Sequence, residues 1–248
     1  MERNGPNQSR RHFVASAALA GISLLALSPA NRVARIHRRQ VMRIGIIGSG
    51  RMGGAVGVRW AEAGHEILFS SRHPEELGDL VARAGGQGRA GLPEEAAEFG
   101  DVVLIAVPYG ALPQVGRDHA HLMRDKVVID LGNPRADRDG PMADDAIARG
   151  TGVASAEYLP GVRLVRAFNT LSFVMVEREA HREGDGIGVP IAGDDPEAVA
   201  TAVGLVEDAG FDPVVVGPLS RAREFDRGTE VYVTGMTAAE IRTVLGID

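Results

Sequence analysis

From Arg43 onward, short apolar runs alternate with amphipathic stretches of helical period. The apolar runs predict strands over 43–48, 66–70, 101–107, 127–131, 162–167, 188–193 and 212–216. The stretches between them predict helices over 51–63, 74–84, 111–123, 142–149, 196–208 and 237–245. This alternation is the signature of an α/β fold, a doubly wound parallel sheet with helices on its faces. Two helix starts are marked by side chains. Asp195-Pro196-Glu197 supplies an N-cap and a first-turn proline, and Thr237 with Glu240 forms a capping box. The run "AGGQGRAG", 84–91, consists of breakers and blurs the third strand–helix unit. A change of texture near Leu159–Arg163 divides the body into a first domain, 42–160, and a smaller carboxy-terminal α/β lobe, 161–248, that closes the cleft.

Composition narrows the class. At 248 residues, with 44% hydrophobic and 24% charged, the chain supports a filled core. The net charge of −6 hides an asymmetry: residues 1–43 hold eight Arg against Glu2, leaving 19 basic and 32 acidic residues beyond. An acidic body with 4% aromatics argues against nucleic acid as a partner. With no cysteine, disulfides, thiolate metal sites and cysteine nucleophiles are excluded.

The first 41 residues read as an address. Ser9, Arg10, Arg11 and Phe13 fit a twin-arginine signal, followed by an apolar run from Val14 to Leu27 and a cleavage site after Ala30. The apolar run is shorter than the roughly 20 residues of a membrane span. A basic spacer, 31–42, carries Arg32, Arg35, Arg38 and Arg39. The expectation is a periplasmic or exported protein that meets the twin-arginine machinery already folded. The alternative is a cytoplasmic protein beginning at Met42, since "MRIGIIG" opens a domain well.

The chemistry begins at "RIGIIGSGRMGG". Gly48-x-Gly50-x-x-Gly53 stands between a strand and a helix, where Gly48 allows the tight turn and Gly50 lets backbone approach a pyrophosphate. Gly53 brings the helix close to the sheet. This is a Rossmann-type dinucleotide site. At the end of the second strand, "FSSRHP" offers Ser71 and Arg72 where a carboxylate would hold a free ribose diol. A hydroxyl donor beside a guanidinium suits a 2′-phosphate, so the cofactor expected is NADP, with Arg51 adding positive charge nearby. His73 reads as a stacking or solvent residue. The runs "VVLIAVPYGAL" and "VVIDLGNP" are buried strands whose carboxyl ends reach the crevice edge, where Asn133 either bonds the nicotinamide or makes a turn before Pro134.

Taken in order, "MRIGIIGSGRMG", "SSR", "AVP", "NP", "RAFNT", "VPIAGDDPEAV" and "GPLSRAR" resemble the NADPH-dependent reductases of the deazaflavin coenzyme F420. The relatives of that family include the cytosolic oxidoreductase domain of the membrane metalloreductases. The resemblance implies that Ser49, Gly50, Arg51 and Met52 hold pyrophosphate, and Ser71 and Arg72 the 2′-phosphate. It places Val107, Pro108 and Leu131 beside the nicotinamide, and Asn169, Thr170, Pro218 and Leu219 before a second ring, F420 or a flavin. It also implies a homodimer. Hydride transfer between stacked rings needs proximity and exclusion of water more than an acid or base. No catalytic residue and no metal ligand is therefore assigned. After Arg223 the family pattern gives way to "EFDRGTEVYVTGMTAAEIRTVLGID", which leaves the second pocket open to question.

Two other readings stand beside this one. A non-catalytic NADP-binding module would share the glycine turn. An imine reductase similar to pyrroline-5-carboxylate reductase would share it too, but would carry a long helical domain where this chain shows short strands. The acidic run "DRDGPMADD" lacks calcium-loop spacing and reads as a solvated loop, and His119 and His121 read as surface residues. Glu224 and Asp226 near Arg221, Arg223 and Arg227 read as mixed-charge surface, or as a grip on a polar tail of the second substrate.

Overall fold

A computed structural model describes residues 40–247. The twin-arginine-like segment and most of the spacer lie outside the described residues.

The chain builds one eight-stranded sheet in the order β3-β2-β1-β4-β5-β6-β7-β8. Strands β1 (Arg43–Ile47), β2 (Glu66–Ser70), β3 (Gly88–Gly91), β4 (Val102–Ile105), β5 (Val127–Asp130) and β6 (Arg163–Arg166) run parallel. Their order is the doubly wound one, with a switch point between β1 and β4. Strand β7 (Gly188–Gly193) pairs antiparallel with β6, and β8 (Asp212–Gly217) runs parallel to β7. The strands on either side of residue 160 thus share one sheet.

The helices are α1 (Arg51–Glu62), α2 (Gly78–Arg83), α3 (Pro93–Phe99), α4 (Leu112–His119), α5 (Ala136–Asp139) and α6 (Pro141–Arg149). After them come α7 (Thr151–Tyr158), α8 (Phe173–Glu179), α9 (Pro196–Asp208) and α10 (Ala238–Leu245). Among the described residues no helix is long and apolar enough to cross a membrane.

Alternating strand residues feed two layers. Ile44, Ile46, Leu104, Ile129 and Val165 pack with α1 and α9, while Val103, Ile105, Val128 and Leu164 pack with α3, α4 and α7. Both faces are covered, which is why β4 is apolar throughout and β5 is apolar up to Asp130 rather than alternating. Trp60 ties the first layer together. Its indole N–H donates to the Leu205 carbonyl of α9 at 2.7 Å, and its ring meets Phe168 edge-on at 5.7 Å. His65 does similar work after α1. Its Nδ1 accepts from the Met42 amide, so its Nε2 carries the proton and faces Asp208 of α9 at 3.0 Å.

The structure departs from the sequence reading in places with clear causes. The breaker-rich run contains the edge strand β3, because parallel pairing with β2 uses only backbone groups. Its glycines leave room for neighbours: a Cβ on Gly88 would lie 2.6 Å from the Ala84 methyl. The stretch predicted as one helix over 74–84 is a 3-10 turn, Pro74–Leu77, followed by α2. That predicted over 111–123 is helical only through α4, with 3-10 turns at both ends. Helices α3, α7 and α8 carried too short an amphipathic period to be read. The acidic run folds as α5 and α6, held by the Arg135–Asp137 and Arg138–Asp139 pairs.

Candidate functional site

The glycine turn stands at the carboxyl end of β1, beside the switch point. Gly48 has φ +96°, and a Cβ there would meet the Ala106 carbonyl oxygen at 2.8 Å. A Cβ on Gly53 would lie 2.3 Å from the Gly48 carbonyl oxygen, so the first turn of α1 needs glycine to fold back against the strand. Gly50 differs: a Cβ there meets nothing within 4 Å. The glycine at that position leaves open space above the helix amino terminus, and no side chain caps α1. The first-turn amides of a 12-residue helix are left for an anion, as a pyrophosphate site requires. Ser49 adds a hydroxyl that is buried and has no hydrogen-bond partner, while its amide donates to the Ser70 carbonyl at 3.0 Å. Arg51 is held over the Phe173 ring at 5.2 Å, which fixes α8 beside the start of α1.

At the end of β2, Ser70 is buried and donates to the Ile46 carbonyl, so the loop turns outward at Ser71. The Ser71 amide donates to Gly91 of β3, and its hydroxyl accepts from the His73 amide at 3.1 Å. Arg72 is exposed and makes no hydrogen bond or ion pair among the described residues. No acid of the β2 end stands in its place. The residues present therefore fit a 2′-phosphorylated dinucleotide: a braced hydroxyl, an unpaired guanidinium and an open helix start. His73 pairs with Glu75 at the surface.

The far end of the crevice is bounded by the chain after β4 and β5. Val107 is half-buried against the glycine turn, Pro108 is exposed, and Leu131 is buried with its amide on the Ile105 carbonyl. The Asn133 amide group donates to the Asn169 carbonyl at 2.9 Å. Asn169 in turn donates its amide group to the Phe225 carbonyl at 3.0 Å. A carbonyl partner settles which end of each amide is nitrogen, so Oδ1 of Asn133 and Oδ1 of Asn169 are acceptors. Both are buried and unpartnered, as is Oγ1 of Thr170. Leaving such an atom unsatisfied costs about 1–3 kcal/mol. Asn133 is joined to Asn169, and Thr170 follows Asn169, so these unsatisfied groups lie along one connected turn.

Phe168 aims this turn. It has φ +63° although it is a fully buried aromatic residue, a conformation costing on the order of 1–3 kcal/mol. Its ring is locked by Trp60, so the helix that carries the glycine turn also fixes the backbone that presents Asn169.

Beneath the site lies a buried ionic network that the sequence reading did not identify. Arg166, fully buried, donates through Nη1 to Asp130 Oδ2 at 2.9 Å and to the Gly132 carbonyl at 2.7 Å. Its Nη2 reaches Asp226 Oδ1 at 3.3 Å. Asp130 also accepts from the Gly132 amide and the Ser155 hydroxyl. That use of the serine proton makes Tyr109 the donor in its 3.2 Å contact with Ser155. Burial raises the Tyr109 phenol well above its ordinary value of 10.0, so it stays protonated. Burial alone works against the Arg166 charge, and Asp130 and Asp226 outweigh it. Asp226 is therefore no part of a mixed-charge surface: its Oδ2 accepts from the Thr151 amide, and its other oxygen serves Arg166. Glu224 does pair with Arg221, at 2.7 Å. A charged residue inside an apolar strand, in "RLVRAF" and "VVIDLG", was the signal available for Arg166 and Asp130.

The structure brings Gly48 to Gly53, Ser71 and Arg72, Val107 and Pro108, and Leu131 and Asn133 to the carboxyl ends of neighbouring strands, with Asn169 joined to Asn133. Pro218 and Leu219 are not brought to Asn169. Pro218 is exposed, and Leu219 packs in the layer of Leu159 and Leu164, on the face opposite Phe168, its amide donating to Asp194. The segment that does cover the "RAFNT" turn is the departing carboxy-terminal one. There the Val233 amide donates to the Thr170 carbonyl at 3.0 Å, with Val233 itself at φ +55°.

Comparison with known proteins fits this geometry. The F420-dependent NADP reductase of Methanothermobacter thermautotrophicus is 28% identical over 208 residues, covering 78% of this chain and 88% of that one. The metalloreductase STEAP3 of Rattus norvegicus is 26% identical over 198 residues, covering 76% of this chain and 36% of that one. The chain thus spans about a third of the length of that metalloreductase. Among solved structures, the hypothetical protein SMa0349 from Sinorhizobium meliloti superposes with a TM-score of 0.69 at 24% identity, covering 81% of this chain and 97% of that one, a likeness of fold. Residues 43–134, from the first strand through the turn after the fifth, match the family model for NADP oxidoreductase coenzyme F420-dependent.

Proposed function

We propose that this protein is an NADP-dependent oxidoreductase that passes hydride between NADPH and a second, flavin-like or deazaflavin ring. The observation that carries the proposal is the joining of Asn133 to Asn169, with both amide oxygens buried and unpartnered where the nicotinamide end of the crevice falls. The first-turn amides of α1 and the Ser49 hydroxyl hold the pyrophosphate, while Ser71 and Arg72 hold the 2′-phosphate. Asn133 accepts from the carboxamide, and Asn169 and Thr170 face the second ring. The dinucleotide, when bound, supplies the hydride. The chain's own part is to align two planar rings and keep water out, which needs no general base. The match to the F420-dependent NADP oxidoreductase domain and the likeness to an F420-dependent NADP reductase support F420 as the acceptor.

The test is to mix the protein with NADPH and, separately, F420, FMN or riboflavin and to follow absorbance at about 340 nm. Oxidation with a ring acceptor supports the reading. Tight NADPH binding with no oxidation by any of them leaves a nucleotide-binding module and defeats the proposal. Export on a twin-arginine signal and assembly as a homodimer belong to the same proposal. They are tested by amino-terminal sequencing of periplasmic material and by the molar mass in solution.

A further inference from the structure

Beside the Asn133–Asn169 pair lies a cavity of about 220 Å³. It is lined by Pro134, Ile147 and Thr151, and by Arg223, Asp226 and Arg227 from the carboxy-terminal segment. Its position relative to the ring site follows from the chain. Pro134 is the residue after Asn133, and Asp226 is the residue after Phe225, whose carbonyl holds Asn169. At roughly 30 Å³ per water, the space takes a phosphate-sized group with water around it.

Charge and unsatisfied bonding point the same way. The Asp226 carboxylate is consumed by Arg166 and by the Thr151 amide. Arg223 and Arg227 are both exposed and make no hydrogen bond or ion pair among the described residues. Asp137, whose charge Arg227 feels, is already bound by Arg135. Thr151 opens the eight-residue helix α7, lines the cavity and is fully buried, and its hydroxyl has no hydrogen-bond partner among the described residues. Two guanidinium groups without partners among the described residues, in one cavity with a buried unpartnered hydroxyl, are a recognition set for an anion. Pro134 and the exposed Ile147 give the cavity an apolar wall on the side of the crevice.

We propose that this cavity binds a phosphate or phosphodiester group, and that the group is carried on the tail of the hydride acceptor. The second half of the proposal rests on the oxidoreductase reading; the anion site itself does not. Free phosphate has the same chemistry, so the experiment separates the two sources. Protein saturated with NADP is titrated by calorimetry with FMN, with riboflavin and with inorganic phosphate. The same titrations are run on Arg227→Ala and on the double variant Arg223→Ala/Arg227→Ala. FMN is expected to bind about tenfold or more tighter than riboflavin, and inorganic phosphate to compete with FMN alone. The preference should shrink in Arg227→Ala and vanish in the double variant, with NADP affinity unchanged. Arg227 is exposed, so its single variant keeps the test readable if the double variant folds poorly. Phosphate bound through the arginines with neither ring bound would keep the anion site and overturn the tail assignment, while the ring-transfer reading stands or falls on the absorbance test with F420. Equal binding of FMN and riboflavin, a preference that survives in both variants, or no binding of any probe would overturn the proposal.

Discussion

Arg166 and Asp130 meet at 2.9 Å, Nη1 to Oδ2, with both side chains sealed from solvent on adjacent strands. Through the Gly132 carbonyl and Asp226, the same guanidinium holds the turn after β5 and the carboxy-terminal segment that carries the Phe225 carbonyl. Those two segments position Asn133 and Asn169. The ionic network is thus a brace under the proposed ring site, and removing one partner strands a buried charge. Asp130→Ala should cost about 3–5 kcal/mol of unfolding free energy in a denaturant titration. Asp226 is more accessible, so Asp226→Asn should cost clearly less. Equal losses would show that the pairing with Asp130 is not the anchor.

Arg72 is expected to choose the cofactor. Arg72→Ala should weaken NADPH binding about tenfold to a hundredfold, the range for one charge-assisted contact, and leave NADH binding nearly untouched. Fluorescence titration with both nucleotides decides the matter. Parallel losses would place Arg72 outside the 2′-phosphate site.

The two glycines of the turn make opposite predictions. A methyl on Gly53 collides with the Gly48 carbonyl oxygen, so Gly53→Ala should destabilise the fold by about 1–3 kcal/mol. A methyl on Gly50 meets open space, and its φ of −75° suits any residue, so Gly50→Ala should change stability by less than about 0.5 kcal/mol. It should nevertheless weaken dinucleotide binding, because the methyl enters the space assigned to pyrophosphate. Unfolding curves and nucleotide titrations of both variants separate the two effects.

The last helix carries a pH-sensitive cap. Bonds from the Thr237 amide at 2.8 Å and hydroxyl at 3.0 Å hold the Glu240 carboxyl below its ordinary value of 4.5. A folded value below the unfolded one means stability that is complete above about pH 4.5 and is lost as pH falls through the folded value. Glu240→Gln can still accept the amide bond but cannot titrate. Its unfolding free energy should therefore be flatter with pH below 4.5 than that of the parent protein. Identical slopes would remove Glu240 from the acid response.

Much of this molecule is readable along the chain because the relevant physics is local. Gly48 and Gly53 are set by the steric needs of one tight turn, and Thr237 with Glu240 by two orphan amides three residues apart. Strands β4 and β5 announce themselves because both their faces are buried. Ser71 and Arg72 are legible because the end of β2 has a fixed relation to the turn after β1, through the parallel register of Ile47 with Ser70. What local pattern does not carry is partnership across distance. Strand β3 has no apolar signature, since its pairing uses backbone alone. Leu219, close in sequence to the segment that does reach the site, faces the other layer because alternate packing decides it.

The sequence by itself determined the doubly wound order of elements, the glycine turn after the first strand and the placing of Ser71 and Arg72 at the end of the second. Only the tertiary structure decided which polar residues meet. Arg166 finds Asp130 and Asp226 at separations of 36 and 60 residues, and Asn169 finds Phe225 at 56. A buried charge or amide must have a partner, but its own neighbourhood in the chain does not say which one. That choice is made when the strand ends converge.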